Sequence, residues 1–305
     1  MIRYLAIRLV QMVPAIIGLT FILFVLVRVG GDPVAGLVPP DSTPEEIASI
    51  IAAYGFDRPL YVQYFDSLGL ILRGDFGNSI RFRTAALPMV LERLPATLWL
   101  TSASVVIAIL IAFPAALLSV VYRNSIIDLT VTFTSTLGRA LPNFWLGIIL
   151  ILTFSLHYRW FPVSGMSSFA SIVLPATTLG TSIATTFARI LRSSLLETMP
   201  KSFITAARAK GLGAKMVLMR HALRNALIPT VTVFGMQVSW LLGGAVIVEN
   251  VFAWPGIGRL MLASVLLRDL SVVQAGVFVF ALVVMGANLL VDIVCVFLDP
   301  RIRVG

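Results

Sequence analysis

Apolar residues in this chain do not alternate with polar ones; they run together in long blocks. Leu9 to Val27 carries no charge, and neither does Ala96 to Val121. A helix rises about 1.5 Å per residue, so roughly twenty such residues cross a hydrocarbon core about 30 Å thick. Four more blocks qualify: Leu141 to Leu156, Ile172 to Ala188, Ile228 to Val248 and Val272 to Leu298. The third follows a mostly apolar stretch from Ile126 that holds Asp128 and Arg139, so one long helix with a kink at Pro142 is predicted. The fourth is rich in Ala, Thr, Ser and Gly, which suits contact with other helices. Only Asn288 and Asp292 interrupt the last. The pattern predicts an all-α polytopic membrane protein with six transmembrane helices.

The connections carry the charge. Arg3 and Arg8 flank the first block, Arg123 follows the second, and Arg301 and Arg303 follow the sixth. Between the fourth and fifth lie Arg189, Arg192, Lys201, Arg208, Lys210, Lys215, Arg220 and Arg224 against one acid, Glu197. With six spans these cations share one side, and cytoplasmic loops collect Lys and Arg. Both termini and the basic loop are therefore expected in the cytoplasm. The domains follow: a first helix over 1–29, an external segment over 30–95, a five-helix core over 96–298 with a cytoplasmic loop at 199–225, and a cytoplasmic tail over 299–305. The first block exceeds a signal-peptide core and lacks a small-x-small cleavage site, so it reads as a retained helix.

Composition narrows the picture. With 58% apolar and 12% charged residues and a mean hydropathy of +0.97, the chain cannot cover a soluble core with polar groups. The net charge of +9 then reflects topology and anionic lipid, not nucleic acid. A single cysteine, Cys295, excludes an intramolecular disulfide.

In the external segment, Ser42-Thr43-Pro44-Glu45-Glu46 has a hydroxyl cap, an early proline and acids at the positive helix end, so a short helix to about Tyr54 is predicted. Tyr61, Tyr64, Phe65 and Leu68 then recur at helical spacing, either as an interfacial helix or as a substrate contact.

The basic loop reads as a helix ending near Lys210, a turn at Gly211 and Gly213, and a second short helix with Leu212, Met216, Met219 and Leu223 on one stripe. Small residues, a glycine turn and an apolar stripe rimmed by cations would make a knob for a groove on another protein. The alternative is an amphipathic helix on the lipid surface. Outside the loop, Asp292 faces a polar pathway or pairs with Arg139 or Asn288. Glu249 and Asn250 precede Trp254-Pro255-Gly256-Ile257-Gly258, which reads as a re-entrant gate or as an interfacial loop anchored by Trp254.

Catalysis finds no footing. The two histidines, His157 and His221, form no His-Glu-x-x-His pair. "PVSGMS" around Ser164 lacks the leading glycine of a serine elbow. "GLGAKM" from Gly211 lacks the spacing and the hydroxyl of a phosphate loop, so this chain binds no ATP by that motif. A self-sufficient transporter or channel would show inverted repeats, broken helices and midplane ionisable groups; no repeat is evident.

"TAARAKG…RHALRNALIP" resembles the coupling loop of permease subunits of bacterial ABC importers, and within them the dipeptide, oligopeptide, glutathione and nickel group. "GDP" at Gly31 to Pro33, "DRPL" at Asp57 to Leu60, "RGDFGNS" at Arg73 to Ser79, "LPNFWLG" at Leu141 to Gly147, "VENVFAWPGIGRL" at Val248 to Leu260 and "NLLVD…DPRIR" from Asn288 to Arg303 are similar to the same group. Thr205 stands at the family's usual acid, His221 at its Ile and Arg224 at its Pro.

The resemblance implies a type I importer permease fold in a bacterial inner membrane. It implies a non-catalytic chain coupled through Thr205, Ala206, Ala207, Arg208, Lys210, Gly211, Leu212, Met216, Arg220 and His221 to two ATP-binding cassette ATPases, which bind ATP and magnesium. A second homologous permease and an extracytoplasmic substrate-binding protein would complete the importer. Asn143, Glu249, Asn250, Trp254, Pro255, Gly256 and Asp292 become the pathway or gate candidates. Dipeptides and oligopeptides are the expected cargo, with glutathione and nickel as alternatives and no metal cofactor in the chain.

Overall fold

The computed structural model describes residues 2–29 and 43–298; Gly31 to Pro33, Ser42 and the 299–305 tail lie outside them. Among the described residues the chain is helical, with one isolated bridge, Asn78 to Ala85, and no strand. It divides into two compact units, Met1–Arg93 with Leu260–Val283 and Leu94–Arg259 with Val284–Gly305.

In the first unit, α1 (Ile2–Val29) is followed by α2 (Pro44–Tyr54) and α3 (Leu60–Leu72). The predicted start of α2 is a complete capping box: Glu46 N–H donates to Thr43 Oγ1, and Thr43 N–H donates to the Glu46 carboxylate. α3 lies against α1. The Tyr64 hydroxyl meets Thr20 Oγ1 at 3.1 Å, its ring packs edge-on to Phe21 and Phe24, and Arg28 donates to Gln63. Leu60, Tyr61, Phe65 and Leu72 are left exposed on α3. Also in this unit, Asp269, 2% exposed, accepts from Ser79 Oγ.

The second unit holds most of the core. α4 (Ala86–Val121) runs ten residues upstream of its apolar block. Its buried ridge repeats every four residues: Ala96, Leu100, Ser104, Ala108, Ala112, Ala116 and Val120 are each at most 9% exposed. Small side chains on that ridge let α7 (Val173–Thr198) approach closely, and a Cβ on Gly180 would sit 2.8 Å from the Ser104 carbonyl oxygen. α7 is the least apolar candidate span yet 56% of it is buried, against 6% for α12 (Leu270–Leu298). Its hydroxyls are satisfied locally: Thr177, Thr178, Thr181 and Thr198 each donate to the carbonyl four residues earlier. Buried Leu191 and Leu195 carry α7 ten residues past the expected end at Ala188.

The expected long third helix is not one helix. α5 (Ile126–Ala140) and α6 (Asn143–Leu150), which continues as a π-helix over Ile151–His157, meet at 106°. A simple proline kink is too small for this. Leu141 is extended (φ −80°, ψ 126°), because the ring of Pro142 forbids helical backbone before it, and Pro142 is extended as well. Two residues out of helix turn the chain almost at right angles.

The loop after α7 contains α8 (Ser202–Ala209). A short α9 (Ala214–Met216) then passes through a π-helical Val217–Ala222 into α10 (Leu223–Val251), followed by α11 (Ile257–Leu266). Among the described residues four helices are long and apolar enough to cross a membrane singly, and α5 with α6 and the bent 214–251 run bring the number to six.

The tight approach at Gly180 predicts that Gly180→Ala separates α4 from α7 and costs about 1–3 kcal/mol. Gly243→Ala, where an added Cβ meets nothing within 4 Å, should be neutral or stabilising. Thermal unfolding of the two variants in detergent, followed by tryptophan fluorescence, measures the contrast.

Candidate functional site

Positive φ builds the basic loop. Gly211 adopts φ 79°, a left-handed turn closed by its own N–H on the Arg208 carbonyl, and α8 stops there. Ile204 and Ala207 point inward, while Thr205, Ala206, Arg208, Lys210 and Gly211 are exposed. The helix restarts at Ala214 and does not end, so the expected second short helix is in fact the beginning of the 214–251 run. The expected stripe also divides. Leu223 is buried and Leu212 half-buried, but Met216 and Met219 are 48% and 42% exposed. The π-helical turn inserts an extra residue per turn and rotates the face, so Val217, Leu218 and Ala222 do the packing instead. Lys215, Arg220 and Arg224 are exposed and His221 is half-buried. The result is a protruding knob of alanines, two methionines and cations.

The motif after α10 closes on a buried carboxylate. Glu249 is fully buried, and its Oε1 accepts from Thr97 Oγ1 at 2.7 Å. The Arg259 N–H donates to Oε2 at 3.1 Å. Thr97 Oγ1 in turn accepts from Ile257 N–H at 2.9 Å. The first turn of α11, whose N–H groups have no partner within their own helix, is thus capped from a distance by Glu249 and Thr97. Gly256 is required because a Cβ there would overlap the carboxylate; Gly258, because its Cβ would lie 2.6 Å from Val246 Cα. Trp254 is 1% exposed and its indole N–H donates to the Ala96 carbonyl at 2.9 Å, so it is a core residue and not an interfacial anchor. Pro255 is half-buried in the same turn, and Asn250 donates to Val246 O one turn back.

The other candidates lie apart from this cluster. Asn143 opens α6 and lines a recess of about 180 Å³ with Ser182, Gln237, Trp240 and Gly244. Asp292 is half-buried on α12. His157 ends the π-helical segment, exposed, and packs edge-on to Tyr158.

Sequence reasoning also missed the burial of Asp128. Asp128 is held by Arg192 through two bonds, Nε to Oδ1 at 2.8 Å and Nη2 to Oδ2 at 2.9 Å. Ser119 also donates to Oδ1, and Asn124 N–H to Oδ2 at 3.1 Å. The N-terminus of α5, the end of α4 and α7 meet at this bidentate pair. An acid, a serine nine residues before it and an arginine sixty-four residues after it leave no local pattern to find. Thr97, Gln237 and Trp240 escaped for the same reason.

Comparison with known proteins places the chain among multi-pass membrane transport permeases. Residues 104–304 match the family model of the binding-protein-dependent transport system inner membrane component, and the chain belongs to that family. It is 37% identical over 315 residues to the oligopeptide transport system permease protein AppB of Bacillus subtilis (strain 168), covering 99% of this chain and 100% of the relative. It is 36% identical over 304 residues to the glutathione transport system permease protein GsiC of Escherichia coli (strain K12), covering 99% of each. The fold alone is shared with a chain of the MetNI methionine ABC transporter in inward-facing conformations, with a TM-score of 0.59 at 22% identity over 69% of this chain and 96% of that one. The family resemblance read from the motifs is borne out, and the broken third span belongs to a permease of this family, not to a self-sufficient transporter.

Two losses follow from the buried acids. Glu249→Gln turns an amide N–H₂ toward a donor and should cost about 1–3 kcal/mol, with Gly256→Ala at least as damaging. Arg192→Met strands the buried Asp128 carboxylate and should cost about 3 kcal/mol, whereas Asp128→Asn, which keeps the Ser119 contact, should cost less. Unfolding midpoints of the purified variants in one detergent rank all four.

Proposed function

We propose that this chain is one permease half of an ATP-driven importer that carries short peptides, glutathione included, into the cytoplasm. The observation that carries the reading is end-to-end identity of 37% and 36% with permeases named for oligopeptides and for glutathione, itself a tripeptide. The chain is non-catalytic in this reading. Two ABC ATPases supply hydrolysis and hold ATP and magnesium, a second homologous permease completes the pathway, and an external binding protein delivers cargo. The cation-rich loop 199–225 and both termini face the cytoplasm, because Lys and Arg concentrate there.

The knob at 202–220 is the docking surface for an ATPase. Its exposed apolar groups, Ala206, Met216 and Met219, would enter a groove, and Arg208, Lys210, Lys215 and Arg220 would rim it. Glu249, Trp254 and Gly256 stiffen the turn after α10 as part of a gate, while Asn143 and Asp292 are candidate pathway residues. Purification of the tagged chain in mild detergent, with whatever accompanies it, tests the reading: ATPases and a second permease should co-purify, and peptides with binding protein should stimulate hydrolysis. Recovery of the chain alone, transporting without ATP, would overturn it.

For the loop, Ala206→Glu and Met216→Glu place charge on the docking face, and Gly211→Pro removes both the left-handed turn and its N–H. Each should lower ATP-driven uptake by about tenfold or more while leaving membrane abundance unchanged. Uptake assays normalised to immunoblots read both quantities.

A further inference from the structure

Two arginines carried by α5 and α7 have been left without a role. Arg139 and Arg189 line one recess of about 210 Å³ together with Ser135, Thr136, Ala140 and Thr185. The helices are in close contact here, since a Cβ on Gly138 would lie 2.7 Å from the Thr185 methyl. No acid lines the recess, and no described acid lies within ion-pair distance of either guanidinium. The contrast along α7 is sharp. Arg192, three residues beyond Arg189, is neutralised by Asp128, whereas Arg189 faces a second cation.

Arg139 stands thirteen residues into α5, about 20 Å along that half of the broken span. Both side chains are exposed along the recess, so the pair is open to a ligand, and two like charges lining one recess repel each other unless an anion lies between them. Planar guanidinium groups match oxyanions with two parallel N–H bonds each.

We propose that the Arg139–Arg189 recess is an oxyanion-binding site. Its ligand is a carboxylate, most simply the C-terminal carboxylate of a short peptide, or the phosphate of an anionic lipid; a peptide carboxylate as ligand rests on the function proposed above. Bound there, the anion neutralises the pair and bridges α5 and α7 near the end of α5.

The test uses the whole complex, purified without binding protein and placed in nanodiscs of phosphatidylcholine alone. Calorimetric titration compares a dipeptide with its C-terminal amide, and native mass spectrometry after adding phosphatidylglycerol reads lipid retention. The native complex should bind the free acid and not the amide, and Arg139→Gln or Arg189→Gln should weaken that binding at least about tenfold, with Lys replacements restoring part of it. If peptides fail to bind but both Gln variants lose retained phosphatidylglycerol, the site stands with lipid phosphate as its ligand. If neither ligand distinguishes the variants from the native complex, or if an acid of the second permease proves to pair with these arginines, the proposal falls. Peptide uptake by the native complex, measured with binding protein and ATP, is scored separately; its failure would remove the importer reading while leaving the lipid arm intact.

Discussion

Hydrocarbon offers no hydrogen bonds, so every polar group carried into the membrane must find its partner inside the protein. The rest of the structure depends on that constraint. The threonines of α7 answer it one by one, each hydroxyl turned back onto its own helix. That self-sufficiency lets the most polar of the candidate spans be the most buried. The two buried acids of the second unit answer it collectively. Asp128 gathers a guanidinium, a hydroxyl and a backbone N–H, and Glu249 gathers a hydroxyl and the open end of a helix.

These solutions have different mechanical characters. A carboxylate that caps α11 from α10 turns a loop into a rigid corner, and glycines at 256 and 258 let the backbone come close enough for the bond to form. A bidentate ion pair, by contrast, joins three helix segments at one point. One feature fixes a turn; the other fixes a junction.

Much of this was legible in the chain itself. Uncharged blocks located the spans, the hydroxyl, proline and acids of residues 42–46 announced a helix start, and Gly211 announced a turn, because each signal is local and depends on a single backbone requirement. What could not be read was relational. Pro142 marks an interruption, but whether the chain kinks or turns by 106° depends on Leu141 leaving the helix too. The methionines of the loop fit a stripe at ordinary helical period, and only the π-helical turn shows that they face outward. Trp254 read either as part of a gate or as an interfacial anchor, and its buried indole is held by a carbonyl 158 residues away.

Where α4 comes closest to α7, Gly180 meets the Ser104 carbonyl oxygen and the β-branched side chain of Ile107. Such a contact has almost no rotamers, so it cannot slip by small side-chain adjustments as a leucine-rich seam can. The two helices are fixed to each other at that point, and the backbone leaves the helix elsewhere, at Leu141 and Pro142 and again through residues 252–256, so the corners of this unit lie outside its closest contact.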